Sequence, residues 1–347
     1  MFDEGQLYSP VTTGEDGTVE VHLADNHPGL HDPAYRARRS HIAAAAINAP
    51  AGTVPVIDYT EDEHRIWRLC QEQLAPKHEK YAHSEFLAAK HRLRLPTDHV
   101  PQLDHVSARL RPLTGWGYRA APGLVPLREF YADLGARTFN STQYLRHGSE
   151  PLYTPEPDII HEVIGHGNQL ASPRFARLTE AAGRASLRLE TEDAMKFVAD
   201  VFWFSMEFGV IKEHGEVKAY GAGILSSFGE MDEFGHMEHR GLDLADMGTL
   251  AYDITEYQPV LFCAESLDEL APWLSARLSR GPGTTVRRRL RPLGDGGGMA
   301  GDRSGDGVAS RSPFGHPRCG RAQMPAVRLR DPPRGRPLGR AGRGGTP

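Results

Sequence analysis

The sequence predicts a mainly α-helical protein with one folded domain and only small β pieces. Apolar residues recur at helical spacing over residues 61–93 and 190–209, whereas alternation typical of a strand is confined to residues 253–262. After Arg280 the chain is rich in Arg, Gly and Pro and poor in apolar residues, so it cannot build a core. We therefore expect a flexible N-terminal arm (1–20), one folded domain (21–280) and a disordered tail (281–347).

Composition narrows the class of protein. Apolar residues make up 39% of the 347 residues, which is enough for a sizeable core once the tail is set aside. Three cysteines form no disulfide framework, and no signal peptide or long apolar run is present, so we expect a cytoplasmic protein without a membrane partner. The tail holds 14 Arg and 4 Asp, which leaves residues 1–280 at −15 when the whole chain carries −5. This acidic body predicts no nucleic-acid partner.

Local signals place the elements of the first half of the domain. Thr18–Leu23 is a short extended piece beside the arm. Pro33 stands in the first turn of a helix. A helical region over 61–93 is interrupted near Pro76, and a short helix follows over 102–110. The helix that begins at Pro33 carries three arginines, interpreted as a solvated face that can also form ion pairs: Arg36, Arg38 and Arg39.

The second half begins with an irregular stretch. Residues 115–139 are dense in Pro and Gly, which predicts a shaped loop of the kind that carries binding residues. Residues 172–215 hold two helices, the first capped by Ser172 and the second running over Glu190–Gly209. The remaining predicted elements are a short strand or turn at Lys218–Gly223, a strand at 253–262 and a helix from a cap at Ser266 to Leu278.

Two histidines are the first candidates for a functional site. His161 and His166 lie on a helix for which Asp158 is the expected N-cap, and two nearby neutral imidazoles are good ligands for a divalent first-row metal. Their five-residue spacing puts them about 140° apart on a regular helix. Both can bind one metal only if the helix ends or deforms near Gly165, a plausible C-terminal signal. The alternative is a pair of histidines at the end of a core helix.

Glu207 is the candidate third ligand. It lies inside the apolar run 202–210, and a buried glutamate is costly unless it is paired or bound to metal. Two histidines and one carboxylate form the facial triad of non-haem Fe(II) oxygenases. The alternative is a salt bridge to a nearby basic residue. A zinc hydrolase fits less well, because its histidines are four residues apart, although Glu162 stands where the base of that motif lies.

Six motifs resemble those of the tetrahydropterin-dependent aromatic amino acid hydroxylases, in the same order, over about residues 20–275. They are Asp-Pro-Ala-Tyr-Arg-Ala-Arg-Arg (32–39), Val-Pro-Gln-Leu-Asp-His-Val-Ser (100–107), Thr-Gln-Tyr-Leu-Arg-His-Gly-Ser (142–149), Tyr-Thr-Pro-Glu-Pro-Asp-Ile-Ile-His-Glu (153–162), Trp-Phe-Ser-Met-Glu-Phe-Gly (203–209) and Lys-Ala-Tyr-Gly-Ala-Gly-Ile-Leu-Ser-Ser-Phe-Gly-Glu (218–230). The resemblance implies a single hydroxylase catalytic domain that uses Fe(II), tetrahydropterin and O2.

The resemblance also implies the cofactor site. Iron is expected on His161, His166 and Glu207. The expected pterin contacts are Gly123, Val125 and Leu127 through their backbone, Phe130 by stacking, and Glu162 beside the pterin. Without the resemblance, core packing explains Phe130 equally well. The Pro126-Leu127 pair departs from a small polar pair common in the animal enzymes, and Asn140 stands where animal phenylalanine hydroxylases carry a histidine.

The expected substrate site takes residues from several segments. A partly buried arginine suits an amino acid carboxylate, and the resemblance gives Arg146 that role, the alternative being a structural salt bridge. Ser226 and Ser227 are expected to hydrogen-bond the iron ligands or, alternatively, to cap a helix. The substrate contacts are Arg146, Thr154, Pro155, Trp203, Gly223, Ser226 and Ile254, and the expected catalytic residues are Glu162, Trp203 and Ser226.

The predicted reaction is hydroxylation of L-phenylalanine to L-tyrosine, with a role in phenylalanine catabolism. Trp203 matches the phenylalanine branch of the family, and Ile254 would leave a substrate hydroxyl unpaired, which disfavours tyrosine as substrate. Tryptophan 5-hydroxylation and phenylalanine 3-hydroxylation are alternatives. A non-catalytic, metal-binding regulatory protein is an alternative of another class, against which all three ligands are intact. We expect a monomer or weak dimer, because no tetramerising heptads are present.

The tail does not continue the resemblance. The family closes with a short extended segment after about residue 280, and none is found here. One hypothesis is that residues from about 281 onward are a frameshifted reading of the gene, which the nucleotide sequence tests. The alternative is an arginine-rich RNA-binding tail.

Overall fold

The computed structural model describes residues 9–253 and 256–280, and in this part helices predominate. The helices are α1 (Pro33–Asn48), α2 (Glu61–Tyr81), α3 (Ser84–Leu93), α4 (Leu103–Thr114), α5 (Leu127–Gly135), α6 (Asn168–Leu170), α7 (Pro173–Ser186), α8 (Glu192–Phe202), α9 (Ala222–Ser226), α10 (Glu230–Glu233), α11 (Leu244–Met247) and α12 (Leu267–Arg280). Two π-helical segments, His161–Gly167 and Trp203–Glu207, and a 3-10 turn, Phe234–His236, complete the helical part. No helix of the described residues combines the length and apolarity needed to cross a bilayer.

The strands are short and form three small sheets. They are β1 (Val11–Thr13), β2 (Val19–Val21), β3 (Gly117–Ala120), β4 (Thr138–Ser141), β5 (Val210–Glu213), β6 (Glu216–Ala219), β7 (Glu238–Gly241) and β8 (Val260–Ala264). β1 pairs with β2 in antiparallel fashion, β3 pairs with β4 in parallel, and the third sheet has the order β6-β5-β8-β7. The predicted mainly α fold with small β pieces is confirmed.

Helix starts follow the predicted capping chemistry. Asp32 accepts hydrogen bonds from the first-turn amides of α1, and Ser172 caps α7 in the same way. Thr60 and Glu63 form a capping box at the start of α2. Ser266 accepts a hydrogen bond of 3.2 Å from an amide in the first turn of α12. These four caps satisfy amides that have no partner inside their own helices.

The predicted break near Pro76 is wrong. Helix α2 continues through Pro76 to Tyr81 and ends at Ala82 and His83. The missing amide of Pro76 frees a carbonyl four residues earlier, on an exposed turn where water can reach it. Instead, the helix ends where the backbone amide of His83 donates to the carbonyl of Ala219 in β6 (2.9 Å). The boundary is therefore set by a tertiary contact.

The stretch 115–139 is not the irregular loop that its composition predicts. It contains β3, helix α5 and the start of β4, and only the connections between them are irregular. β3 pairs with β4 from Gly117 opposite Thr138 to Ala120 opposite Ser141. This pairing joins segments about 20 residues apart, so a local reading of Pro and Gly content does not reveal it.

Two further boundaries differ from expectation. Part of the predicted flexible arm is ordered, because β1 and β2 pair within residues 11–21 and this hairpin packs on α1. The strand predicted over 253–262 is confined to Val260–Ala264. All five residues of β8 are buried because β5 and β7 flank it, so it does not alternate. Residues 254 and 255, the first eight residues and the tail after 280 lie outside the described residues.

The core is continuous through the helical part. Its largest fully buried side chains are Trp67, Trp116, Tyr220, Phe86, Phe139, Phe175, Phe204 and Phe262. Helices α5 and α7 cross where Gly135 faces Gly183, and a Cβ on Gly183 would lie 2.1 Å from the backbone nitrogen of Gly135. This crossing therefore requires a residue without a side chain on α7.

We expect Gly183→Ala to destabilise the protein by about 1–3 kcal/mol, because the added methyl group must push two backbones apart. The midpoint of denaturant-induced unfolding measures this effect. Gly235→Ala is the matched control, since a Cβ there meets no heavy atom within 4 Å. Equal midpoints for the two variants would contradict the packing argument.

Candidate metal centre

The two candidate histidines lie on a π-helical segment. His161–Gly167 is π-helical, and in such a segment residues five apart come onto the same face. The Nε2 atoms of His161 and His166 lie 3.1 Å apart, with the ring planes nearly perpendicular. The expected deformation of the helix is confirmed. Gly165 does not end the helix, however, because helical residues continue to Leu170.

Gly165 has a packing role instead. A Cβ at this position would lie 2.8 Å from the carbonyl oxygen of Ala222, at the start of α9. The bare backbone of Gly165 therefore lets α9 approach the π segment closely. This approach brings Ser226, at the end of α9, to the ring of His161.

Glu207 completes the set of donor atoms. It is the last residue of the second π segment, and its side chain is 12% exposed. Its Oε1 lies 2.9 Å from His166 Nε2, and its Oε2 lies 3.7 Å from His161 Nε2. Adjacent ligands at about 2.1 Å from a metal are separated by about 3.0 Å in octahedral geometry. The three donors therefore have the spacing of one face of a metal's coordination shell.

A second carboxylate lies near the same histidines. Glu162 is 1% exposed, and one of its oxygens and one nitrogen from each of His161 and His166 all lie within 4.8 Å of one another. Glu207 contacts both histidines, with one carboxylate oxygen 2.9 Å from His166 Nε2 and the other 3.7 Å from His161 Nε2. Both carboxylates are therefore near the two imidazole nitrogens, and Glu207 has the ligand spacing described above.

Ser226 selects the tautomer of His161, and burial keeps the ring neutral. The Ser226 hydroxyl donates to the carbonyl of Gly223 (3.2 Å) and therefore accepts a hydrogen bond from Nδ1–H of His161 (2.8 Å). Burial, with His166 adding a like charge, lowers the pKa of His161 to about 4. At neutral pH the His161 ring is therefore uncharged, with its Nε2 lone pair directed toward His166 and Glu207.

His166 and Glu207 stabilise each other's charge. Burial disfavours the imidazolium, but the carboxylate outweighs burial and raises the pKa of His166. Burial also disfavours the carboxylate, and His166 outweighs it and lowers the pKa of Glu207. The Gly223 backbone amide adds to the lowering of the Glu207 pKa. A divalent cation bound at His166 Nε2 would compete with the proton that Glu207 favours there, because a metal ligand must be deprotonated.

Arg146 is held in a buried salt bridge. Its Nε and Nη2 donate to the two oxygens of Asp158, both at 2.9 Å, and its backbone amide donates to the same carboxylate at 2.8 Å. Asp158 also accepts a hydrogen bond of 3.2 Å from the backbone amide of His161, as expected of an N-cap. The salt bridge considered for Arg146 is therefore present. It leaves Nη1 outside the pair, and through Asp158 it connects Arg146 to the backbone of His161.

Hydrogen bonds to Glu156 hold the turn that contains Thr154 and Pro155. Thr154 Oγ1 donates to the Glu156 carbonyl (2.7 Å), and the buried Glu156 carboxylate accepts from Arg39 (2.6 Å) and from the Ser9 amide (2.8 Å). The solvated face predicted for the arginines is therefore wrong for Arg39, which is 3% exposed. A buried carboxylate requires a buried partner, and only the folded chain brings the two together.

The predicted pterin segment packs against the N-terminal strand. A Cβ on Gly123 would lie 2.7 Å from Val11 Cγ2, so this glycine is buried under β1. Val125 and Leu127 are half-buried on either side of Pro126. Phe130 is also half-buried, and its ring forms a T-shaped pair with Phe139, with the ring centroids 5.7 Å apart. The centroid of the Phe139 ring lies 4.5 Å from that of the His166 ring. A row of rings therefore joins Phe130 to the metal centre.

Trp203 forms an aromatic layer at the start of the second π segment. Its ring stacks on Tyr252 at 4.8 Å and lies tilted on Phe208 at 4.6 Å. A Cβ on Gly223 would lie 2.8 Å from the Phe208 ring, so the backbone of Gly223 packs directly against Phe208. Ile254, also predicted to contact substrate, lies outside the described residues.

The structure adds residues that the sequence did not single out. Phe139, Tyr252 and Gln258 contact predicted site residues, and Asp158 was expected only as a cap. Phe139 lies in the stretch predicted to be irregular, and Gln258 in a segment predicted to be strand. No local pattern distinguishes either side chain, because each is defined by what packs against it.

Comparison with known proteins agrees with this site. Residues 16–277 match the family model of the biopterin-dependent aromatic amino acid hydroxylases. The chain is 48% identical over 245 residues to phenylalanine 3-hydroxylase of Streptomyces coeruleorubidus (70% of this chain, 88% of that protein). It is 39% identical over 254 residues to phenylalanine-4-hydroxylase of Bos taurus (71% of this chain), of which it spans only 56%.

Solved structures give the same result. Apo phenylalanine hydroxylase from Colwellia psychrerythraea 34H matches with a TM-score of 0.63 at 30% identity, over 67% of this chain and 89% of that one. The Chromobacterium violaceum enzyme with bound iron(III) and oxidised 7,8-dihydrobiopterin matches with a TM-score of 0.60 at 30% identity (64% and 82%). With three quarters of its length matched to the family model, this chain belongs to the biopterin-dependent aromatic amino acid hydroxylases.

Proposed function

We propose that this protein hydroxylates the ring of L-phenylalanine, using O2, tetrahydropterin and Fe(II) held by His161, His166 and Glu207. One observation carries the proposal: two imidazole nitrogens and one carboxylate converge, with separations of 2.9–3.7 Å, in a chain of the hydroxylase family. Two histidines and one carboxylate leave coordination positions open, as Fe(II) oxygenases require. When bound, iron and tetrahydropterin supply the activation of O2.

The protein's own residues hold and orient the reactants. Gly123, Val125 and Leu127 are proposed to meet the pterin through their backbone, and Phe130 to stack on its ring. Support comes from the row of rings that connects Phe130 with His166. Glu162, buried beside the metal-binding histidines, is proposed to contact the pterin. Buried apolar walls keep water from the reacting groups.

The amino acid, like the pterin and O2, is proposed to bind on the side opposite the three protein ligands. Arg146 would hold its carboxylate through Nη1, with Asp158 fixing the orientation of the guanidinium, and Thr154 and Pro155 would line the adjacent turn. The remaining proposed contacts are Trp203, Gly223, Ser226 and Ile254. Phenylalanine leads over tyrosine because Ile254 offers no partner to a substrate hydroxyl.

Two ring positions are candidates for hydroxylation. Attack at the 4-position, giving L-tyrosine, is the reaction predicted from the sequence, and relatives with that name are 39–44% identical. Attack at the 3-position is favoured by the 48% identity to the Streptomyces enzyme, of which this chain spans 88%. The predicted cytoplasmic location and the monomeric or weakly dimeric state stay predictions.

Product analysis tests the function directly. The protein loaded with Fe(II) and given tetrahydropterin and O2 should convert L-phenylalanine, and L-tryptophan much more slowly, into a singly hydroxylated amino acid. Mass spectrometry gives the mass increase of one oxygen, and NMR gives the ring position. A protein that binds iron but forms no hydroxylated product from either amino acid would support a regulatory metal protein instead.

The choice of carboxylate ligand is separately testable. We expect Glu207→Gln to weaken Fe(II) binding at least about 100-fold, because it removes one anionic donor of three. Glu162→Gln, the matched control, should retain iron and raise the KM for tetrahydropterin. Iron content after dialysis measures both variants. Iron lost from Glu162→Gln but kept by Glu207→Gln would reverse the two assignments.

The hydrogen bond from His161 to Ser226 should matter for metal affinity. Ser226→Ala frees the imidazole to rotate and to change tautomer, so we expect Fe(II) affinity to fall about 10–100-fold. Ser227→Ala is the control, since the Ser227 hydroxyl accepts from the amide of Glu230 and makes no contact with His161 among the described residues. Competition with a calibrated chelator measures both affinities, and equal values would remove Ser226 from the site.

A further inference from the structure

Gln258 lies in the loop before β8 and makes contacts that no part of the proposed function uses. It is 1% exposed, and its Oε1 accepts a hydrogen bond of 3.3 Å from the indole Nε1 of Trp203. Its Nε2 donates to the carbonyls of Asp253 (2.8 Å) and Glu256 (3.1 Å). One buried amide therefore connects the aromatic layer to the backbone of the loop beside it.

Hydrogen bonds and the neighbouring strand hold the backbone of Gln258 in place. Its backbone amide donates to the buried carboxylate of Glu230 at 3.5 Å, and the amide of Glu230 donates to the Ser227 hydroxyl at 3.3 Å. On the other side, β8 begins two residues later, buried between β5 and β7. The side chain of Gln258 therefore reaches Trp203 from a fixed position, not from a free loop.

The indole of Trp203 needs such a contact. The indole stacks on the ring of Tyr252 and lies tilted on the ring of Phe208, and both contacts restrain its tilt. Ring stacking resists rotation within the ring plane only weakly, because a stacking contact has no strong directional preference in that plane. A hydrogen bond at Nε1 fixes that rotation. Gln258 accepts a hydrogen bond from this nitrogen.

The alternative explanation for Gln258 is that it only closes its loop, as Gln102 does elsewhere in the chain. Gln102 joins a loop to α4 by exchanging two hydrogen bonds with the backbone of Ile57 (3.0 and 2.8 Å). Gln258 closes its loop in a similar way. It differs because its carbonyl oxygen is used by a side chain of the proposed substrate wall. Loop closure alone does not require that contact.

We propose that Gln258 is a positioning residue for the aromatic pocket: it fixes the in-plane orientation of the Trp203 indole and thereby the seat of the substrate ring. This inference rests on the proposed function, because it assigns Trp203 to the substrate wall. Without Oε1, the indole N–H has no partner at its site and the ring can turn. Substrate would then bind less tightly and at a less defined angle to the metal.

Kinetics of four proteins test the proposal: the wild type, Gln258→Leu, Trp203→Phe and the double variant. We expect Gln258→Leu to raise the KM for L-phenylalanine about tenfold, with kcat changed less than about threefold and the KM for tetrahydropterin within about twofold. In the Trp203→Phe background the same change should have little effect, because the hydrogen bond is already absent. An equal rise in KM in both backgrounds would overturn the proposal.

Gln102→Leu is the matched control, since it also removes a half-buried or buried amide that ties a loop by two bonds. It should leave the KM for L-phenylalanine unchanged, and iron content should be the same in all variants. If Gln258→Leu does not fold, Trp203→Phe removes the same bond from the other side. It should then raise the KM by a similar factor, and an unchanged KM in Trp203→Phe would count against the proposal.

A measurement independent of activity separates this inference from the proposed function. The chain has four tryptophans, so subtracting the emission of Trp203→Phe from that of the wild type isolates Trp203. The same subtraction for the pair carrying Gln258→Leu isolates Trp203 in that variant. Acrylamide quenching of this fraction should at least double when Gln258 is replaced. Unchanged quenching would overturn the role of Gln258, whereas failure of hydroxylation in the wild type alone would overturn only the function.

Discussion

The buried carboxylate of Asp158 is the constraint on which the site depends. It accepts two side-chain hydrogen bonds from Arg146 and one backbone hydrogen bond each from Arg146 and His161. A buried carboxylate without such partners would cost several kcal/mol, so the two segments it joins cannot shift independently. Asp158 therefore determines the position of the Arg146 guanidinium, which is proposed to hold the substrate, and of His161, where the first π segment begins.

The second constraint is close backbone packing around the two π segments. A Cβ on Gly165 would lie 2.8 Å from the Ala222 carbonyl, and one on Gly221 would lie 2.2 Å from the Glu207 carbonyl. Helix α9 therefore contacts both ligand-bearing segments through bare backbone and delivers Ser226 to His161. π-helical turns have poorer hydrogen bonding than α-helix and persist where the surrounding structure requires them. Here the first π segment places His161 and His166, five residues apart, on the same face of the helix.

Two further kinds of interaction act around the two π segments: electrostatic interactions between the donor atoms and packing between aromatic rings. At the candidate metal centre, burial lowers the pKa of His161, whereas the contact between His166 and Glu207 raises the pKa of the imidazole and lowers the pKa of the carboxyl group. Farther from the donor atoms, aromatic contacts orient the rings: Phe139 lies against His166, and Trp203 contacts both Tyr252 and Phe208.

The sequence by itself determined the fold class and the family motifs and identified candidate metal donors, because helical periodicity, capping residues and ligand chemistry are local properties. It also indicated that the spacing of His161 and His166 needs a distorted helix. Only the tertiary structure decided the form of that distortion, the burial of Arg39 against Glu156 and the contact from Gln258 to the substrate wall. Each of these depends on groups far apart in the chain, whose meeting follows from the packing of the whole domain and not from any local pattern.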